Sequence, residues 1–231
     1  ISFLVLLVMN VPIAICIGLA TLWAINSLGS VSAVNIVAPR FATGIDSFAL
    51  LAIPFFILMG QLMGKGGIAK RLVDFAEGAV GRFPGGLAFV NILTCMFFGA
   101  ISGSAVAAVS SVGGIMMPEM NRKGYDKNFN IALSSCAATV GMVIPPSNIM
   151  IVYALVTGTV SVASLFLAGI LPGILVGFAL MAVSAVISHK NNYGTGKMIS
   201  FRETVKRFFK AVPGLLLIFI VLGGVISGLF T

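Results

Sequence analysis

Charge cuts this chain into long apolar runs. Residues 1–39, 47–64, 83–118, 128–188 and 211–231 carry no Asp, Glu, Lys or Arg. Runs of this length predict membrane-spanning helices rather than the roughly 10-residue alternating strands of a membrane barrel. The first run predicts one span over 1–27 with a kink at Pro12. A polar turn is expected over 28–46, and 47–64 returns with Pro54 inside it. The run 128–188 is long enough for two spans, with an outer turn at Thr157–Ser161.

The charged segments set the orientation. Thirteen of the 14 Lys and Arg residues fall between Lys65 and Arg82, between Glu119 and Lys127, and between Lys190 and Lys210. The positive-inside rule puts all three segments, and the N-terminal end, on the cytoplasmic side. The run 83–118 therefore begins and ends on one side. Its 36 residues make about 54 Å of helix, short for two crossings of ~30 Å each. A re-entrant hairpin is expected, with its tip at Gly99–Ser104, where Gly and Ser disfavour helix interior. In 128–188 the string Gly141-Met142-Val143-Ile144-Pro145-Pro146-Ser147-Asn148 predicts a broken helix, because two prolines remove two backbone donors.

Two cytoplasmic segments read as amphipathic surface helices. In 65–83, Ile68, Leu72, Phe75, Ala79 and Phe83 share a face, and Lys70 and Asp74 are spaced to pair. In 199–210, Ser200 and Glu203 form a capping-box pattern. There Phe201, Val205, Phe208 and Phe209 alternate with basic residues.

Composition agrees and excludes. The chain is 59% hydrophobic and 9% charged, with mean hydropathy +1.13. Soluble domains are about 25% charged. A soluble enzyme, a secreted disulfide scaffold and a disordered chain are excluded, leaving an all-α polytopic membrane protein with room for five to eight spans. The net charge of +8 is read as topology, not nucleic-acid binding. Cys16, Cys95 and Cys136 are isolated and suggest no disulfide or metal site. His189, the sole His, is expected at the membrane interface. The chain starts at Ile1 and stops within an apolar run, so it is expected to be part of a longer polypeptide.

Irregular backbone at membrane depth survives only inside protein or beside a watery cavity, and transporters use it to hold ions. Ser102, Ser104, Ser147 and Asn148 offer neutral oxygens and are the candidate Na+ ligands. Gly99, Gly103 and Gly141 let carbonyls approach an ion. Pro145 and Pro146 leave two carbonyls without helical partners. Taken singly, the pairs Gly60/Gly64, Gly99/Gly103, Gly173/Gly177 and Gly224/Gly228 are ordinary helix-packing surfaces. The tip and the Pro-Pro-Ser-Asn break together read as an ion and substrate site. Neither run holds a carboxylate, which argues against a proton relay. With no nucleotide-binding loop in the chain, coupling to a Na+ gradient remains.

These same residues carry a resemblance. They are Asp46-Ser47-Phe48, Leu51-Ala52-Ile53-Pro54-Phe55-Phe56, Gly67-Ile68-Ala69-Lys70-Arg71-Leu72, Phe98-Gly99 with Ser102-Gly103-Ser104-Ala105, Pro118 with Gly124-Tyr125, Ile144-Pro145-Pro146-Ser147, and Leu165-Phe166-Leu167-Ala168-Gly169 with Pro172-Gly173. In this order they resemble the large membrane subunit of tripartite ATP-independent periplasmic (TRAP) transporters, in its N-terminal half. The resemblance implies a non-enzymatic, elevator-type Na+ symporter of the bacterial inner membrane, built from two inverted repeats. It implies import of an organic acid of the C4-dicarboxylate or sialic acid type. The partners implied are a periplasmic substrate-binding protein, a small four-helix membrane subunit and the remaining C-terminal repeat of the same subunit. On that pattern 1–64 are scaffold helices and 65–82 an arm helix. The hairpin 83–118 and the loop and broken helix 119–160 form the transport domain. A scaffold helix follows at 161–189, a second arm at 190–210, and the start of the second repeat at 211–231. One departure is Ala107-Ala108, where many members carry an acidic residue. A re-entrant-loop channel and an ABC-type permease subunit are the competing readings.

Overall fold

The computed structural model describes residues 1–29, 32–45, 50, 52–196 and 199–229. Asp46, Ser47, Phe48 and Leu51, which figure above, lie outside them. Every regular element among the described residues is helical. The chain divides into two compact units, Ile1–Leu51 and Ala52–Thr231.

The first unit holds α1 (Ser2–Val8), α2 (Ile13–Ser27) and α3 (Ala33–Ile45). The single span expected over 1–27 is two helices. Pro12 has no N–H to continue the first and disfavours helix at Val11, and Asn10 takes a left-handed φ of 59°. The expected turn over 28–46 is mostly helix as well. Its lone Arg40 hides an apolar repeat, Val34, Val37 and Phe41, and Pro39 sits inside the helix.

The second unit begins with α4 (Ala52–Lys65) and α5 (Ile68–Val80). Pro54 lies in the first turn of α4, where N–H groups have no helical acceptor, so the helix is intact. In α5 the buried positions are Ala69, Leu72 and Ala76. The Lys70–Asp74 pair does not form.

Next come α6 (Gly86–Ser102), α7 (Ala105–Ala108), a π-helical turn (Val109–Gly113) and α8 (Gly114–Arg122). Then α9 (Lys127–Val143) and α10 (Asn148–Thr157) meet at a 50° bend. Asp126 caps α9, its Oδ1 accepting from Phe129 N–H at 2.9 Å. α6 is apolar nearly all round and almost wholly buried, as an interior helix must be. It packs along α9, and the pairing gives their direction. Asn91 donates to Ser134 Oγ at 2.8 Å. Two turns further on, Gly99 meets Gly141. The two helices therefore run the same way, and the segment between them has to turn back: α7, the π turn and α8 are the second limb of a hairpin.

The turn at Thr157–Ser161 forms, closed by Gly158 and by Ser161, whose Oγ accepts from Ser164 N–H. α11 (Val162–Lys190) follows without a break at Pro172. Its Gly169, Gly173 and Gly177 lie against Met150, Ile144 and Met96, so this seam is a packing surface that docks α11 on α10, α9 and α6.

α12 (Phe201–Ile226) is one helix with Pro213 inside it. The second arm and the span after it, drawn as separate segments at 190–210 and 211–231, share that helix. Ser200 stands at its N-cap without a side-chain capping bond. Glu203 lies 3.8 Å from Arg207 instead, so the capping box does not form. α12 packs on α5 through Thr204, which donates to Gly78 O at 3.2 Å, and through Phe208 on Phe75. Arg207 donates to Asp74 O at 3.0 Å and to Glu77 at 2.7 Å.

α11 and α12 are long and apolar enough to cross a membrane, and the bent α9–α10 pair makes a third candidate. Five to eight spans were expected. Proline, the hairpin turn and charged helix ends make the other apolar runs into shorter helices, Ile13–Ser27, Ile53–Lys65 and Gly86–Ser102.

Candidate functional site

The hairpin tip is narrower than the sequence suggests. α6 continues through Ser102, and only Gly103 and Ser104 leave the helix. Gly103 takes φ +60°, which other residues adopt at a cost, and its N–H returns to Gly99 O at 2.8 Å. Ser104 then starts the second limb, its Oγ accepting from Ala107 N–H at 3.3 Å. Ser102 is buried and turned back on the tip, donating to Ser104 O at 3.3 Å.

The break in the α9–α10 span is Ile144–Ser147. Pro145 and Pro146 bring no N–H to the carbonyls of Gly141 and Met142, so the helix stops at Val143. Both prolines are buried, as are Ser147 and Asn148. Ser147 is the N-cap of α10, yet its hydroxyl makes no capping bond.

The two irregular points touch. A Cβ on Gly103 would fall 2.9 Å from Asn148 Cγ and 3.0 Å from its backbone N. Ser147 Oγ and Asn148 Oδ1, at 0% and 9% residue exposure, have no hydrogen-bond partner among the described residues. An unmade hydrogen bond in a buried position costs about 1–3 kcal/mol; Thr94, Tyr125, Asn130, Ser184 and Ser188 hold other unpartnered atoms, but only Ser147 and Asn148 stand where two breaks in the helices meet.

The other predicted residues divide. Gly99 and Gly141 sit one turn before the breaks and serve close helix approach: a Cβ on Gly141 would lie 2.6 Å from Cys95 O and 2.9 Å from Gly99 Cα. Ser102 and Ser104 face a different neighbour. Gly60 of α4 seats Ser102, with Cβ-to-Cβ spacing of 3.0 Å for an alanine there, and Gly64 seats Ser111. Beside them Gln61, Lys65, Ser102, Ser104 and Ser111 line an open cleft of about 490 Å³. Sequence reasoning missed Gln61 and Ser111; Ser111 lies seven residues past Ser104, two helical turns along the same face. It also missed the buried polar layer Asn91, Thr94, Asn130 and Ser134 beneath the site.

The donor set around the breaks is neutral oxygen. No group of three His, Cys, Asp or Glu exists among the described residues. Hydroxyls, an amide and backbone carbonyls suit a hard monovalent cation; divalent sites draw on carboxylates.

The segment between α8 and α9 carries a buried phenol. Burial pushes the Tyr125 phenol up to about 12. Its ring stacks on Tyr193 at 4.1 Å, and Tyr193 OH accepts from Asp126 N–H at 3.0 Å.

The family model for the DctM component of the tripartite ATP-independent periplasmic transporter matches residues 1–231. An uncharacterized protein, YgiK, of Salmonella typhimurium is 48% identical over all of this chain and 53% of its own length. The isethionate TRAP transporter permease protein DctMQ of Oleidesulfovibrio alaskensis is 43% identical over 99% of this chain and 36% of its own. The C4-dicarboxylate TRAP transporter large permease protein DctM of Pseudomonas aeruginosa is 46% identical over 80% of this chain and 43% of its own. The chain spans about half the length, or less, of these curated relatives. With the whole of it matched, this chain belongs to the DctM component family of tripartite ATP-independent periplasmic transporters.

Proposed function

We propose that this chain is one repeat of a Na+-coupled permease that imports an organic acid, with Na+ taken up where the hairpin tip meets the helix break. The observation that carries this reading is the pair of buried, unpartnered oxygens, Ser147 Oγ and Asn148 Oδ1, beside Gly103. A cation offers both of them a partner. Their neutrality favours Na+ as the coupling ion, because no carboxylate stands there to carry a proton.

The hairpin reads as re-entrant. Its first limb has 17 residues, about 26 Å, and is short of the ~30 Å hydrocarbon. A tip that stops at midplane exposes its broken backbone to a cavity rather than to lipid. The moving body of an elevator is α6 to α10. α11 docks on it through its glycine seam, while α5 and the start of α12 are the arms that join it to a scaffold.

The substrate is an organic acid of the C4-dicarboxylate or sialic acid type; the sulfonate and dicarboxylate in the relatives' names belong to the same anionic class. A periplasmic binding protein delivers it, a small four-helix membrane subunit braces the scaffold, and a second repeat completes the site in the inner membrane.

The test is uptake by proteoliposomes holding the full-length permease and its partners. An imposed Na+ gradient, without ATP, drives saturable uptake of a dicarboxylate presented by the cognate binding protein. Ser147→Ala raises the half-saturating Na+ concentration about tenfold, or about 1.4 kcal/mol. Ser102→Ala, whose hydroxyl already bonds within the tip, raises it less. Unchanged Na+ activation in both variants sinks the site. ATP-dependent uptake, or flux that never saturates, sinks the symport.

A further inference from the structure

The charged first half of α12 has two faces with different fates. Thr204, Arg207 and Phe208 are taken up by α5. Arg202, Val205, Lys206, Phe209 and Lys210 fall at i, i+3, i+4, i+7 and i+8, a single stripe on another face. They line one open cleft of about 810 Å³. Arg202, Lys206 and Lys210 are exposed, and none has an ion-pair partner among the described residues. The carboxylate on this rim, Glu203, lies 3.8 Å from Arg207, not beside the three. Phe209 stands 68% exposed between the cations.

Position supplies the second half of the argument. Directly after Lys210 the helix becomes charge-free to its end at Ile226 and can enter hydrocarbon. The stripe therefore stands where the helix leaves the bilayer, at the depth of lipid phosphates. We propose that it binds an anionic phospholipid: the three cations hold the headgroup, and Val205 and Phe209 cover the first acyl carbons. Charge complementarity favours lipid over a protein partner. Two of the three cations are lysines, which protein interfaces exclude from their cores, whereas polybasic stretches at the end of a span draw anionic headgroups. The arm helix would thereby be held against the membrane surface on one face while α5 grips the other.

The experiment reads lipid contact and is independent of transport. Full-length permease carries Val205→Cys, labelled with bimane, with its other accessible cysteines, Cys136 among them, replaced. It is reconstituted in phosphatidylcholine vesicles containing brominated phosphatidylglycerol or brominated phosphatidylcholine. Brominated phosphatidylglycerol is expected to quench more strongly at equal mole fraction. Arg202→Gln, Lys206→Gln and Lys210→Gln should each cut that preference by roughly fivefold. A control triple variant, Lys70→Gln, Arg71→Gln and Lys190→Gln, removes as many exposed charges away from the stripe and should retain it. Equal quenching by both lipids overturns the proposal, as does equal loss in stripe and control variants. So does a label that neither lipid reaches once the small membrane subunit is present, since a protein then covers the face.

Discussion

Two helix pairs in the second unit are brought together by glycine and differ in what they do with polar atoms. At α5–α12, Gly78 lies under Thr204, and the hydroxyl that comes close bonds the glycine's own carbonyl. Arg207 is satisfied by a backbone carbonyl and by Glu77. At α6–α9, Gly99 and Gly141 bring backbone onto backbone, and just beyond them Ser147 Oγ and Asn148 Oδ1 are left without partners. The first pair uses its polar groups to hold two helices together. The second makes one polar bond, Asn91 to Ser134, at one end, packs backbone on backbone at Gly99 and Gly141, and leaves two oxygens without partners just beyond them.

The largest effect expected comes from filling the second contact. Gly141→Val would drive its side chain into Cys95 O and Gly99 Cα, both main-chain atoms that yield only if a helix moves. Overpacking of this kind costs about 1–3 kcal/mol and more where backbone must shift, a large fraction of a typical margin of about 5–15 kcal/mol. We expect little monodisperse protein by size-exclusion chromatography. Gly78→Ala meets Thr204 side-chain atoms at 2.9, 3.0 and 3.2 Å, which give way by a small shift of α12 at the expense of the bond to Gly78 O, so that variant should fold with a smaller loss. Equal damage from the two would erase the distinction between a backbone contact and a side-chain contact.

A sharper comparison uses the sign of a stability change. Glu77→Ala leaves Arg207, only 23% exposed, with a carbonyl and a distant Glu203, and should cost about 1–2 kcal/mol. Ser147→Ala removes a hydroxyl that has no partner, so in Na+-free buffer it should be neutral or stabilising by up to about 1 kcal/mol. Thermal melts in potassium buffer read both. If Ser147→Ala destabilises as much as Glu77→Ala, its hydroxyl is a structural bond and the free-oxygen reading of the site falls.

The turn between α6 and α7 was legible because Gly103 and Ser104 interrupt an apolar run with residues that disfavour helix interior. The break at Pro145–Pro146 was legible because missing donors are local chemistry. Charge cutting failed where one residue interrupted a helix, as Arg40 does in α3, and where helix continued past the last charge, as in α12. Neither which glycines serve packing nor the bond between Arg207 and Glu77, 130 positions apart, could be read locally. Nothing in the string separates Gly99, pressed on Gly141, from Gly103, which turns the tip; only the fold assigns them.

The smallest effect concerns a contact at the foot of the second pair. Tyr125 precedes α9 and Tyr193 follows α11, and their stacked rings join those two elements. Tyr125 is buried, and its phenol is held protonated to about 12, against about 10 in an unfolded chain. The fold therefore binds this proton more tightly than the unfolded state does. The stability it contributes is complete below pH 10 and is lost as pH climbs from 10 towards 12. Residual solvent contact reduces the effect to about half a kcal/mol across pH 10–11. Tyr125→Phe keeps the stack and removes the titration, so its melting temperature should fall less steeply than the native protein's over that interval. Identical slopes would mean that the phenol is solvated and that the tie between α9 and the end of α11 is looser than its stacking geometry implies.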